Sequence, residues 1–143
     1  MSERQMLIDQ LVKHEGLRLR PYVDTVGKMT VGVGRNLTDK GISSREAFDL
    51  LDHDLDECEA DLTGAFPWFI TLDGVRQIAI TDLRFNLGPT RFRLFRELIG
   101  AMAAGDFVMA AEQLIRSKWA TQVQPDRRDR LYRQLATGDD AVR

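Results

Sequence analysis

The sequence predicts an α+β fold: a small lobe built on a β-hairpin, a larger all-helical lobe, and a long helix joining the two. Three observations carry this. Between Leu17 and Gly34 apolar and polar residues alternate about a turn at Gly27, the period of strands. Before and after that stretch, apolar residues recur at three- and four-residue spacing behind helix-capping signals. One of these helices, opened by Ser43, is long enough to span about 30 Å at roughly 1.5 Å per residue.

The elements follow in order. Ser2 to His14 reads as a helix, with Met6, Leu7, Ile8, Leu11 and Val12 at helical spacing and Gly16 as its stop, so Glu15 is the last helical residue or the C-cap. Leu17, Leu19 and Val23 interleave with Arg18, Arg20, Tyr22 and Asp24, and Pro21 suits an edge strand. Thr25 to Lys28 form the turn, with Gly27 free to take positive φ. On the return strand Met29, Val31 and Val33 make one face, expected to cover a core, while Thr30, Gly32 and Gly34 make the other.

The rest of the chain reads as helices. Ser43 and Glu46 form a capping box for a helix to about Thr63, with Ala47, Leu50, Leu51, Leu55, Cys58 and Leu62 on one face. Asp73 caps the next, with Val75, Ile78, Ala79 and Leu83 inward and Gly88 as its stop. Phe92, Leu94, Phe95, Leu98 and Ile99 make a short helix, and Asp106 opens another with Phe107, Ala110, Ala111, Leu114 and Ile115. Asp126 is expected to cap the last, through Leu135, stopped by Gly138. Trp68 and Trp119 could be sugar platforms, but core packing is the better reading of each. The divisions expected within a single domain of 1–143 are a small lobe at about 15–50, a linking helix at about 44–63, and a helical lobe of 1–14 and about 64–143.

Composition narrows the function. A net charge of −2 gives no global basic field for nucleic acid. The single cysteine, Cys58, excludes an intrachain disulfide and falls in step with buried positions. His14 and His53 have no metal-ligand spacing with it, so no metal site is expected, and no cofactor of another kind is implied. No run is long and apolar enough for a signal-peptide core or a membrane span. The expectation is a protein made in the cytoplasm, with no membrane anchor.

The chemistry concentrates in Glu15 to Gly34, EGLRLRPYVDTVGKMTVGVG. Glu15 stands at a helix C-terminus, where the macrodipole disfavours a carboxylate. It is either a solvated Glu paired with Arg18 or a carboxyl held ready to donate a proton. Asp24 supplies a second carboxylate, and paired carboxyls across a cleft are the equipment for cutting a glycosidic bond. Gly32 and Gly34 either let a sugar ring approach the backbone or form a glycine bulge.

This run resembles the active-site segment of the phage-type lysozymes, glycoside hydrolase family 24. Glu15, Gly16, Tyr22, Asp24, Gly27, Thr30, Gly32 and Gly34 all fall on the pattern E-G-x5-Y-x-D-x2-G-x2-T-x-G-x-G. RFNLG at Arg84 to Gly88 looks like the family's cleft-lining F-N-x-G segment, and RSKWATQ at Arg116 to Gln122 like its S-R-W-x-x-Q segment. The resemblance implies a lysozyme-like fold and an endolysin that hydrolyses the β-1,4 bond between N-acetylmuramic acid and N-acetylglucosamine, with inversion. It implies Glu15 as general acid, Asp24 as second carboxylate and Thr30 as holder of the attacking water. Gly32, Gly34, Phe85, Asn86 and Gln122 would contact peptidoglycan, with Tyr22 and Arg127 in support. One extra residue after Trp119 lets either Arg127 or Arg128 take the place of the family's Arg beside the acid. A phage origin, a monomer and export through a separate holin-like pore are implied too. Arg35 stands where the family often has His, and an Arg35–Asp54 ion pair is expected. A lytic transglycosylase and a non-catalytic wall-binding domain are the alternatives, and the complete Glu15, Asp24 and Thr30 set argues against both.

Overall fold

The computed structural model describes residues 1–140. The chain divides into two compact units, Met1–Leu50 and Leu51–Arg143. Among the described residues they hold seven helices and one small antiparallel sheet, the α+β lysozyme-like class that the sequence predicts.

The first unit holds α1 (Glu3–Glu15), β1 (Arg18–Val23), β2 (Met29–Gly32), β3 (Arg35–Asn36) and the first turns of α2 (Ser44–Ala65). Ser2 caps α1, its hydroxyl accepting from the Gln5 amide at 3.1 Å. α1 buries no residue; its stripe of Met6, Leu7, Ile8 and Leu11 is exposed. The sheet runs β1-β2-β3 with both pairings antiparallel, and Pro21 sits on the edge strand as expected.

Two expectations for the sheet are corrected. The third strand, only two residues long, has no alternation to reveal it. The face of Met29, Val31 and Val33 does not cover a core: Met29 and Val33 are exposed, while Thr30 is 4% exposed. The reason is local. Gly32 and Gly34 take φ of 68° and 65°, ending β2 in a turn, so Val33 leaves the alternation and Thr30 lies on the central strand between Tyr22 and Asn36.

The second unit contains the remainder of α2, a 3-10 turn (Phe69–Thr71), α3 (Gly74–Arg93), α4 (Arg96–Ala103), α5 (Phe107–Arg116), α6 (Lys118–Gln122) and α7 (Pro125–Thr137). Its core includes Leu62, Ile80, Leu83, Phe92, Leu98, Met102, Leu114 and Leu131, all nearly inaccessible. α5 packs on α4 and α7, and α3 packs on α7. The predicted stop at Gly88 is a break inside α3, where φ is 81° and Pro89 restarts the helix.

The inward faces differ from expectation in places. Ile78 and Leu94 are exposed, with Ile80 taking the inward position beside Ala79 and Leu83. Leu50 and Ala47 on α2 are exposed as well. Asp126 is not the cap of α7: Pro125 opens that helix, and Asp126 lies in its first turn, where the dipole favours a carboxylate. Asp73 and Asp106 do cap, accepting from the amides of Arg76 and Met109 at 3.2 Å each.

Three arginines tie the unit together. Arg84, nearly buried, donates to Asp61 at 2.8 Å, and Arg93 donates to the other Asp61 oxygen at 2.6 Å. Hydrogen bonding from Arg93 and then Arg84 outweighs burial and brings the Asp61 carboxyl down to about 2. Arg76 of α3 donates to the Leu135 and Ala136 carbonyls at 2.8 and 3.2 Å, closing the C-terminus of α7. Cys58 is a buried free thiol, pushed up by burial, and receives a weak hydrogen bond from Arg84 at 3.6 Å.

Candidate active site

Glu15 is the last residue of α1. The Gly16 amide closes the helix on the Val12 carbonyl at 2.8 Å, and φ of 80° at Gly16 turns the chain out toward β1. The Glu15 carboxyl is exposed and lies against the backbone of Gly34. A Cβ added at position 34 would stand 2.9 Å from Glu15 Oε2 and 3.2 Å from its Cδ. Gly34 is favoured by its positive φ, and a Cβ there would have to displace the flexible end of the Glu15 side chain.

Asp24 and Thr30 are bound together through one residue, Lys28. Asp24 Oδ1 accepts from the Val26 amide at 3.0 Å and from the Lys28 amide at 2.8 Å, and the Asp24 amide donates to the Lys28 carbonyl at 2.9 Å. The Thr30 hydroxyl donates to that same carbonyl at 3.0 Å. This locks the hairpin turn. Among the described residues Asp24 Oδ2 accepts no hydrogen bond. Tyr22 pairs in register with Thr30 across the sheet, and the Arg18 guanidinium stacks 4.2 Å above its ring.

Arg35 departs from expectation. Its partner is Glu46, not Asp54: Arg35 Nη2 and Nη1 reach the two Glu46 oxygens at 2.6 and 2.9 Å. Glu46 also accepts from the Ser43 amide at 2.9 Å, while the Ser43 hydroxyl accepts from the Glu46 amide at 3.1 Å, completing the predicted capping box. A guanidinium presents a planar fork that matches both carboxylate oxygens, so Arg35 takes the carboxylate already fixed at the start of α2. Held by Arg35 first and Ser43 second, the Glu46 carboxyl falls to about 2.

The other sequence-predicted residues lie in the second unit. Asn86 Oδ1 accepts from the Trp119 indole at 2.7 Å, which fixes the orientation of the Asn86 amide. Trp119 is itself buried in the core, as expected, and Trp68 is half-buried against Phe66. Phe85 and Arg127 line one open groove of about 610 Å³, with Leu55, Ile78 and Asp82. The Arg127 guanidinium is engaged by Asp82, its Nε donating at 2.8 Å. Arg128 is engaged by its neighbour Asp129. Gln122 lines a second groove of about 500 Å³ with Trp119, Arg116 and Lys118.

The sequence profile of the phage lysozymes matches residues 12–133. The chain belongs to the phage lysozyme family. It is 27% identical to the pre-baseplate central spike protein Gp5 of Enterobacteria phage T4, over 93% of this chain and 28% of that protein. It therefore spans under a third of the spike protein's length. It is 26% identical to the probable T4-type lysozyme 2 of Dictyostelium discoideum, over 92% of this chain and 94% of the other. Membership of the family supports a lysozyme-type, peptidoglycan-degrading function.

The span matched to the phage lysozymes contains every candidate residue, from Glu15 to Arg127. Three supporting residues were not foreseen. Lys28 acts through its backbone, so its side-chain type carries no signal. Asp82 meets Arg127 across 45 residues of sequence, a separation that no local pattern reports. Glu46 was legible as a capping residue but not as the partner of Arg35.

Proposed function

We propose that this chain hydrolyses the β-1,4 bond between N-acetylmuramic acid and N-acetylglucosamine in peptidoglycan. Glu15 gives its proton to the glycosidic oxygen as that bond breaks. Asp24 and Thr30 hold a water on the opposite face of the sugar; its oxygen attacks the anomeric carbon and its proton passes to Asp24. The product is inverted, which requires room for that water, roughly 6.5–9.5 Å between the carboxyl groups. The observation that carries this reading is the Asp24–Lys28–Thr30 linkage. It holds a carboxylate and a hydroxyl together with one carboxylate oxygen uncommitted, while Glu15 stands on Gly34, the turn residue after the same strand.

The test is digestion of purified bacterial walls, with mass and anomeric analysis of the fragments. Hydrolysis yields fragments that have gained a water and a new reducing end. Anhydro-sugar products would instead mark a transglycosylase, and wall binding without new ends would mark a non-catalytic domain. Glu15→Gln preserves size and hydrogen bonding but has no proton to transfer, and loses about 10²–10⁴-fold in rate. A variant keeping a tenth of the activity removes Glu15 from the acid's role.

A further inference from the structure

The first unit presents a face of two adjoining grooves, of about 720 and 580 Å³, which share Val33 and Arg35. Ile8 and Leu11 line the first and Ile42 and Leu50 the second; with Val33, these five side chains are 39–57% exposed. No apolar side chain of this unit is buried among the described residues, so the open face lacks a covering surface. Charge divides the face. Arg4 and Lys40 line the first groove, which holds no carboxylate. Glu46 and Asp49 line the second, and Arg35, on the shared wall, neutralises Glu46. Among the described residues no ion pair or side-chain hydrogen bond engages Arg4, Lys40 or Asp49.

We propose that this face is a two-fold contact between two copies of the chain, in place of the monomer that the resemblance implies. A contact about a two-fold axis sets one patch against itself, so the patch has to be complementary to itself. This one is. Two cations stand on one side of Val33 and an unpaired carboxylate on the other, with apolar side chains in both halves. An axis near Val33 brings Asp49 of each copy against the partner's Arg4 and Lys40, twice per dimer. It also lays Ile8 and Leu11 on the partner's Ile42 and Leu50. Apolar burial supplies the affinity, and the charges fix the orientation. A foreign partner of one charge would satisfy only half of the face. The inference does not depend on the hydrolase reading.

The experiment is sedimentation velocity on the full chain. At about 100 µM the wild type is expected to run with a mass near twice 16.3 kDa. A single species of 16.3 kDa, or assemblies larger than a dimer, overturn the inference. Two charge reversals test the arrangement: Asp49→Lys, and Arg4→Glu combined with Lys40→Glu. All three positions are exposed, and circular dichroism verifies that the fold is kept. Each reversal sets like charges together twice and is expected to raise the dissociation constant about five- to thirty-fold. An equimolar mixture of the two variants restores the wild-type value, because every introduced charge then meets its opposite. Dimers that ignore both reversals, or that the mixture fails to restore, overturn the two-fold contact.

Discussion

At the scale of single residues, the site depends on what Gly34 lacks. Its φ of 65° costs an L-residue roughly 1–2 kcal/mol, and an added Cβ would press on Glu15 Oε2 at 2.9 Å. Gly34→Ala is therefore expected to lose about 1–2 kcal/mol of stability and, separately, most of its wall-lytic rate as the acid is displaced. Thermal unfolding and a lysis assay measure the two losses; a stable and fully active Ala variant would show that the carboxyl can rest elsewhere. Asp24 has a double duty of a different kind. One of its oxygens accepts two backbone amides. Asp24→Asn keeps an amide oxygen there and should fold normally while losing activity. Asp24→Ala leaves the two amides to water and should lose about 0.5–1.5 kcal/mol as well. Equal stability of the Asn and Ala variants would contradict the role assigned to Oδ1.

At the scale of elements, β3 is joined to the start of α2 by the Arg35–Glu46 fork and the Ser43 cap. The Glu46 carboxyl lies well below its ordinary 4.5, at about 2. A carboxyl lowered on folding stabilises the folded state above its unfolded value and loses that contribution as the proton returns. The Arg35–Glu46 link is thus intact above pH 4.5 and weakens between 4.5 and about 2, with no change near neutrality, where Arg35 stays charged. A carbon-detected NMR titration of Glu46 checks this. The expected midpoint is about 2, moving upward in Arg35→Gln. A midpoint near the ordinary carboxylate value in wild type would remove the fork from the account. Asp54, the partner expected from the resemblance, has no part in this junction.

For the whole molecule, the apolar core is distributed unevenly. Every buried apolar side chain among the described residues belongs to the second unit, from Cys58 to Leu135, and the first unit buries only Thr30 to a comparable degree. Hydrogen exchange is expected to mirror this. The slowest amides should lie in α3, α5 and α7, exchanging only on global unfolding, while the three-stranded sheet opens earlier. Exchange in β2 as slow as in α3 would contradict that ranking. A weakly buried sheet carrying Asp24 and Thr30 also explains why these residues are held by backbone hydrogen bonds and glycine turns. There is little side-chain packing around Asp24 to do it, although Thr30 is itself buried.

The sequence by itself determined the elements whose causes are local. Asp73 and Asp106 cap helices because a side-chain oxygen three residues from an amide suffices, and Gly16, Gly27, Gly88 and Gly138 take the positive φ that only glycine adopts freely. The spacing of Glu15, Asp24 and Thr30 likewise marked the family, since a turn and a two-residue alternation are written in adjacent positions. Only the tertiary structure decided which face of each element is covered. Ile78 yielded its inward place to Ile80, and Thr30 rather than Met29 became buried. It also decided the charge partners: Arg35 with Glu46, Arg127 with Asp82, and Arg84 and Arg93 on the one Asp61. A long cation reaches whichever carboxylate the fold brings within hydrogen-bonding distance, and that depends on chain segments tens of residues away.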